Sequence, residues 1–184
     1  MISCILTDLD GTLIDSSAAN VAAYARAFQE VGLFFDADLY LHQFGLRYLE
    51  MMRIIAPGAT PQQSAQIKEL KAAYYKNHMS LIRLNTGLIA LLGAMAGAYK
   101  IALVTTASRV NVENLLEFFS LKNGLFDLVI AGEDVHVGKP HPECYQTAMQ
   151  RLNKKPDECC IFEDSDVGIE AATRSGAKVI RVKL

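Results

Sequence analysis

Five short runs rich in β-branched and apolar residues recur along the chain, the later ones separated by stretches of helical periodicity. The runs are residues 3–9 (SCILTDL), 100–106 (KIALVTT), 125–132 (LFDLVIAG), 158–164 (ECCIFED) and 177–184 (AKVIRVKL). Helical candidates lie between the later runs at 111–119, 142–152 and 167–175. Strands that alternate with helices of this length form βαβ units around a parallel sheet. Runs this continuously apolar suit strands covered on both faces. Gly176 stands where the last helix must turn into the last strand. The expected fold class is therefore α/β, with a Rossmann-like parallel sheet as its core.

Between the first run and the second the pattern changes. Residues 17–79 carry no strand signal and read as helices, at 18–32, 36–58 and 60–79. Thr60 is placed to cap the last of these, with Pro61 in its first turn. A further helix at about 87–98 leads back towards the second run. A helical block inserted after the first strand of a parallel sheet is a cap rather than part of the sheet. The expected division is a core of residues 1–16 and 82–184 and a helical cap of residues 17–81.

Composition narrows the class of function. Hydrophobic residues make up 51% of the 184 and charged residues 21%, as in a globular protein and unlike a disordered one. The net charge is -2 with no basic or acidic block, so neither nucleic acid nor a membrane surface is an expected partner. The longest apolar stretch, LIALLGAMAGAY, is too short to cross a bilayer. Acids appear by Asp8, so no signal peptide is read. Cys4, Cys144, Cys159 and Cys160 have no metal-ligand spacing and read as reduced, buried thiols of a cytoplasmic protein.

In open α/β sheets, ligands bind beyond the carboxyl ends of the strands. The first run ends in Asp8-Leu9-Asp10-Gly11-Thr12, the second in Thr105-Thr106-Ala107-Ser108, and the fourth in Glu163-Asp164-Ser165-Asp166; Gly138-Lys139-Pro140 follows the third. Carboxylates forced together repel unless a cation neutralises them. Hard oxygen ligands suit Mg²⁺ bound together with a phosphate. Lys139 adds a second positive charge. Thr105, and backbone N–H groups near Gly11, are candidates to hold phosphate oxygens. The combination points to phosphoryl transfer with a carboxylate nucleophile. Singly, each residue has a plainer role: a carboxylate past a strand can be a helix cap, Thr105 strand filling, Thr12 a turn residue.

The same residues carry a family resemblance. DLDGTL (8–13), LVTTAS, GKPHPECY and FEDSDVGIEAA follow the order of the four motifs of the haloacid dehalogenase superfamily. They span Asp8 to Ala172, nearly the whole chain. The chain resembles the branch with a helical cap after the first strand. The resemblance implies that Asp8 attacks phosphorus and that Asp10 protonates the leaving oxygen, then activates water. It implies Mg²⁺ held by Asp8, the Asp10 carbonyl and Asp164, with Glu163 close by. Thr105 and Lys139 are then catalytic groups on the transferring phosphoryl. Gly11, Thr12 and Thr106 are substrate-binding candidates. Asp166 is expected to orient water or cap the following helix. Within the cap, segment 42–50 (HQFGLRYLE) resembles a substrate-contacting stretch, and Arg47 is its candidate for an anionic group.

Asp10 separates the chain from dehalogenases and phosphonatases, which replace that acid. Mutases of the β-phosphoglucomutase type keep it, but they usually carry a histidine where this chain has Asn20. The resemblance is therefore to phosphoglycolate phosphatase and its broad-specificity relatives. The expected activity is hydrolysis of a small phosphorylated metabolite, with a sugar-phosphate mutase as the alternative and a non-catalytic module on the same fold behind it. The expected assembly is a monomer or weak homodimer. Members of this branch usually continue beyond the strand that here reaches Leu184; that segment packs at the sheet edge and bears on stability and assembly rather than on catalytic groups.

Overall fold

A computed structural model describes residues 1–43, 45–121 and 124–184. Contacts divide the chain into two units: Met1–Asp15 with Leu84–Leu184, and Ser16–Arg83.

The first unit is built on five parallel strands in the order β5-β4-β1-β6-β7. They are β1 (Cys4–Thr7), β4 (Lys100–Val104), β5 (Leu128–Ile130), β6 (Cys159–Glu163) and β7 (Lys178–Arg181). β1 and β6 are buried along their whole length, because neighbours flank them on both edges and helices cover the faces. Two further strands, β2 (Ile14–Asp15) and β3 (Arg83–Leu84), form a small separate sheet. Two residues leave no period to read, so neither was visible as a sequence pattern. The helices of this unit are α5 (Thr86–Met95), α6 (Arg109–Phe118), α7 (Glu143–Arg151) and α8 (Asp166–Arg174). One face of the sheet packs Leu6, Val104 and Ile161 against Tyr145 and Met149 of α7 and Ala171 and Ala172 of α8. α8 is capped by the Ser165 hydroxyl, which accepts from the Gly168 N–H at 3.1 Å. Asp166 in its first turn and Arg174 in its last complement the helix dipole.

The order of the strands locates a crevice. From β1 the chain adds β4 and β5 on one side, then β6 and β7 on the other. The direction of winding therefore reverses at β1, and ligands of such sheets bind beyond the carboxyl ends at that point.

The second unit is helical: α1 (Ser17–Glu30), α2 (Ala37–Leu41), α3 (Tyr48–Ile55) and α4 (Pro61–Asn77). Its core is Ala27, Phe28, Met51, Met52, Ile55 and Ile67 with an aromatic group of Tyr24, Phe28, Phe35 and Tyr40. Thr60 caps α4 in a reciprocal box: its hydroxyl accepts from the Gln63 N–H at 3.1 Å, and the Gln63 side chain accepts from the Thr60 N–H at 3.0 Å. The single helix expected over 36–58 is two. Asp36 starts α2 by accepting from the Leu39 N–H, and Gly45 at φ +91° takes a left-handed conformation that no helix continues through. Phe44, inside the expected contact segment, lies outside the described residues.

All four cysteines are free and buried. Among the described residues, no helix is long and apolar enough to cross a membrane.

Candidate active site

β1 ends at Thr7, three residues short of Asp10. Beyond it the backbone turns around the Leu9 carbonyl, which accepts from the N–H groups of Leu13 (2.9 Å) and Ile14 (3.0 Å). Asp10 is therefore placed by a turn. Asp8 itself is still held as strand: its N–H donates to the Phe162 carbonyl of β6 at 3.0 Å. That bond sets Asp8 beside Glu163 and Asp164, the last residue of β6 and the one after it. Oxygens of Asp8, Glu163 and Asp164 lie within 4.8 Å of one another. Gly11, at φ +92°, allows the close approach of Asp164; a Cβ there would stand 2.1 Å from Oδ2. Thr12 donates its hydroxyl to Asp164 Oδ1 at 2.8 Å.

Lys139 enters this cluster from the loop before α7 and is 1% exposed. Its ammonium donates to Asp8 Oδ1 at 2.6 Å and to Glu163 Oε1 at 2.5 Å. The ionised groups would sum to three negative charges and one positive, a deficit that one divalent cation would balance. Burial pushes the Asp8 carboxyl well above the ordinary range, with Glu163 and Asp164 adding to the shift and Lys139 opposing it. Asp164 is raised for the same first reason, burial, against the Thr12 hydrogen bond. Burial acts to raise Glu163 too, but the Lys139 charge and the bonds Glu163 receives outweigh it and hold it below its ordinary value. Lys139 is held well above its own, the attraction of Asp8 and Glu163 outweighing its burial.

The three carboxylates are not equivalent. Four donors engage both oxygens of Glu163: Lys139 and the Tyr145 hydroxyl (3.1 Å) on Oε1, the Ser165 N–H (3.0 Å) and Ser165 hydroxyl (3.1 Å) on Oε2. A carboxylate offers about four lone-pair positions, so Glu163 is satisfied by protein. Asp8 and Asp164 are engaged on one oxygen each by Lys139 and Thr12. An all-oxygen donor set with excess negative charge fits a hard divalent ion such as Mg²⁺. Asp8 and Asp164, each with an oxygen beyond the one bonded to Lys139 or Thr12, are the residues that would hold it, with Glu163 within 4.8 Å in the same group and bonded to Lys139.

Thr105 follows β4, buried, its hydroxyl accepting from the Ala107 N–H at 3.0 Å. Thr106 is half-buried, its carbonyl against Gly132, where a Cβ would come within 2.6 Å. Asp10 is half-buried and bridges to Ile14. Asp166 does not cap α8; Ser165 does, while the Asp166 carboxylate accepts from Arg181 at 2.6 Å. Arg47 belongs to the helical unit. It precedes α3 in a cleft of about 650 Å³ lined also by Tyr48, Arg53, Ser64 and Lys68. Tyr145 was missed by the sequence reading. It lies six residues after Lys139 in the same motif, but a tyrosine on an amphipathic helix carries no signal separating it from core filling.

The family model described as haloacid dehalogenase-like hydrolase matches residues 5–182. A validoxylamine A 7'-phosphate phosphatase of Streptomyces hygroscopicus subsp. limoneus is 34% identical over 96% of this chain and 83% of its own length. A phosphorylated carbohydrates phosphatase of Thermotoga maritima is 28% identical over 96% and 82%. The crystal structure of CbbY from Rhodobacter sphaeroides in complex with phosphate superposes with a TM-score of 0.88 at 28% identity, covering 100% of this chain and 87% of that one.

Proposed function

The chain belongs to the haloacid dehalogenase-like hydrolase family, and from that premise we propose that it cleaves a small phosphorylated metabolite, a sugar phosphate by class, through an aspartyl-phosphate intermediate. It is a phosphoric monoester hydrolase, like the named phosphatases it is similar to. The observation that carries the finer reading is the buried ammonium of Lys139 on Asp8 Oδ1 at 2.6 Å. That contact favours the anionic, nucleophilic form of Asp8 and opposes the burial that raises its carboxyl.

In the proposed reaction Asp8 attacks phosphorus, and the bond to the ester oxygen breaks as that oxygen takes a proton from Asp10. Water then attacks the acyl phosphate, passing its proton to Asp10, and releases inorganic phosphate with Asp8 restored. Asp8 and Asp164 would hold Mg²⁺, which would neutralise charge on the phosphoryl oxygens when bound. Lys139 and the Thr105 hydroxyl bind those oxygens, and Thr12 orients Asp164. Gly11 and Thr106 line the same strand ends. Arg47 is assigned to an anionic group of the substrate that is not transferred. Asn20 supports hydrolysis over mutase chemistry: it is buried, its amide donating to the Ser16 hydroxyl at 2.9 Å, and an amide carries no titratable proton for a second acid–base site. Reduced buried cysteines fit a cytoplasmic setting.

The test is phosphate release from a panel of phosphorylated sugars and small acids, with Mg²⁺ and with EDTA. Release that needs Mg²⁺ supports the reading. Isomerisation primed by a bisphosphate, with little net phosphate, would convert it to a mutase.

A further inference from the structure

The Lys139–Glu163 pair ends on a tyrosine that the proposed reaction does not use. Tyr145 is fully buried, in the first turn of α7, and its hydroxyl donates to Glu163 Oε1 at 3.1 Å. That oxygen is the one that also accepts from Lys139. The Tyr145 ring lies 5.2 Å from the same ammonium, within cation–π range. Both oxygens of Glu163 are closed in: Ser165 donates twice to Oε2, and a Cβ at Gly168 would fall 1.8 Å from Oε1 and 2.3 Å from Oε2. Glu163 thus has one place to be, and the tyrosine forms one wall of it.

The geometry points to Tyr145 as a positioning residue, which fixes Glu163 and the Lys139 ammonium so that Lys139 sits on the nucleophile Asp8. Lys139 divides its bonds between Asp8 and Glu163. The hydroxyl of Tyr145 takes part of the charge of Oε1, and so limits how far Glu163 draws the ammonium away from Asp8. The role rests on the reading of Asp8 as nucleophile. It predicts an effect on the chemical step more than on binding, since misplaced catalytic groups act on kcat.

The variants are Tyr145→Phe, Glu163→Gln and the two combined, with p-nitrophenyl phosphate and Mg²⁺ as the probe. Tyr145→Phe is expected to lower kcat roughly tenfold or more while KM moves by less than about twofold. In the Glu163→Gln background the same change is expected to do nothing further, because its target is already altered. Equal losses in both backgrounds would show that Tyr145 acts through packing alone and would overturn the proposal, as would wild-type kcat in Tyr145→Phe. Should Tyr145→Phe not fold, Gly168→Ala displaces Glu163 with the tyrosine intact. It is expected to reproduce the loss in kcat, and full activity there sinks the idea. An inert wild type would instead refute the phosphatase reading. The positioning role is then decided by the crystal structure of Tyr145→Phe: an ammonium shifted off Asp8 supports it, and one still at 2.6 Å overturns it.

Discussion

The α/β unit holds three charged side chains out of water, Asp8, Lys139 and Glu163, whereas the buried polar residues of the helical unit, among those described, are the uncharged Ser16 and Asn20. The helical unit is stabilised in the ordinary way, by aromatic and aliphatic packing, and its cations Arg53 and Lys68 stay at the surface. Removing ions from water is unfavourable by several kcal/mol each, and only close pairing and saturated hydrogen bonding offset it. That burden, carried in one unit and not in the other, is why the proposed reactive groups are placed in the α/β unit. The contrast can be attacked from both sides.

The largest effect is expected from Asp8→Asn, which removes the proposed nucleophile but keeps its shape. Phosphate release should fall by roughly a thousandfold or more with the circular dichroism spectrum unchanged. Turnover at the wild-type level would end the aspartyl-phosphate mechanism. Lys139→Met comes next, because it strands two buried carboxylates. Loss of kcat should be accompanied by destabilisation of about 3 kcal/mol in urea unfolding, whereas Lys68→Ala in the helical unit should change stability by less than about 0.5 kcal/mol. A similar loss at both lysines would erase the contrast between the units.

Metal and pH probe the same cluster. Asp8 and Asp164 sit above their ordinary 3.8 in the fold, chiefly through burial. The folded state then binds protons that the unfolded chain has released, so in EDTA their contribution to stability declines as pH rises from about 4 through the raised values. Glu163 acts oppositely: held below its ordinary 4.5, it contributes stability present above that value and lost as pH falls below it. Urea midpoints between roughly pH 5 and 8 should therefore fall with pH in EDTA, fall less in Asp164→Asn, and recover with Mg²⁺, by about 2.7 kcal/mol at a hundredfold excess over Kd. A flat wild-type profile in EDTA, unmoved by Mg²⁺, would remove the basis for a cation site.

Smaller effects belong to the helical unit. Arg47→Ala should raise KM roughly tenfold for a substrate with a second anionic group and leave kcat within about twofold; an unchanged KM removes Arg47 from recognition. Thr60→Ala breaks the capping box of α4 and should lower stability by about 1 kcal/mol with no change in kcat. A loss of activity as large as that of Lys139→Met would mean that the helical unit holds part of the chemistry.

Much of this was legible before any coordinates. The alternation of apolar runs with helical stretches determined a parallel α/β sheet, because strand and helix periods are local properties. Asp8 and Asp164 at strand ends, and Lys139 in the loop after the third run, could be named because residues of this chemistry at and after strand ends are also a local pattern. Thr60 as a cap and the inserted helical block were readable for the same reason. The break at Gly45 was not, since glycine is permitted within a helix and required only where φ turns positive. What the tertiary structure alone decided is which donors each acid meets. Lys139 meets an aspartate 131 residues away and a glutamate 24 residues away, and Glu163 is completed by Tyr145 from a third element. Whether a carboxylate is left open for a metal or is satisfied by its neighbours depends on donors that converge from distant parts of the chain. No local period records that convergence.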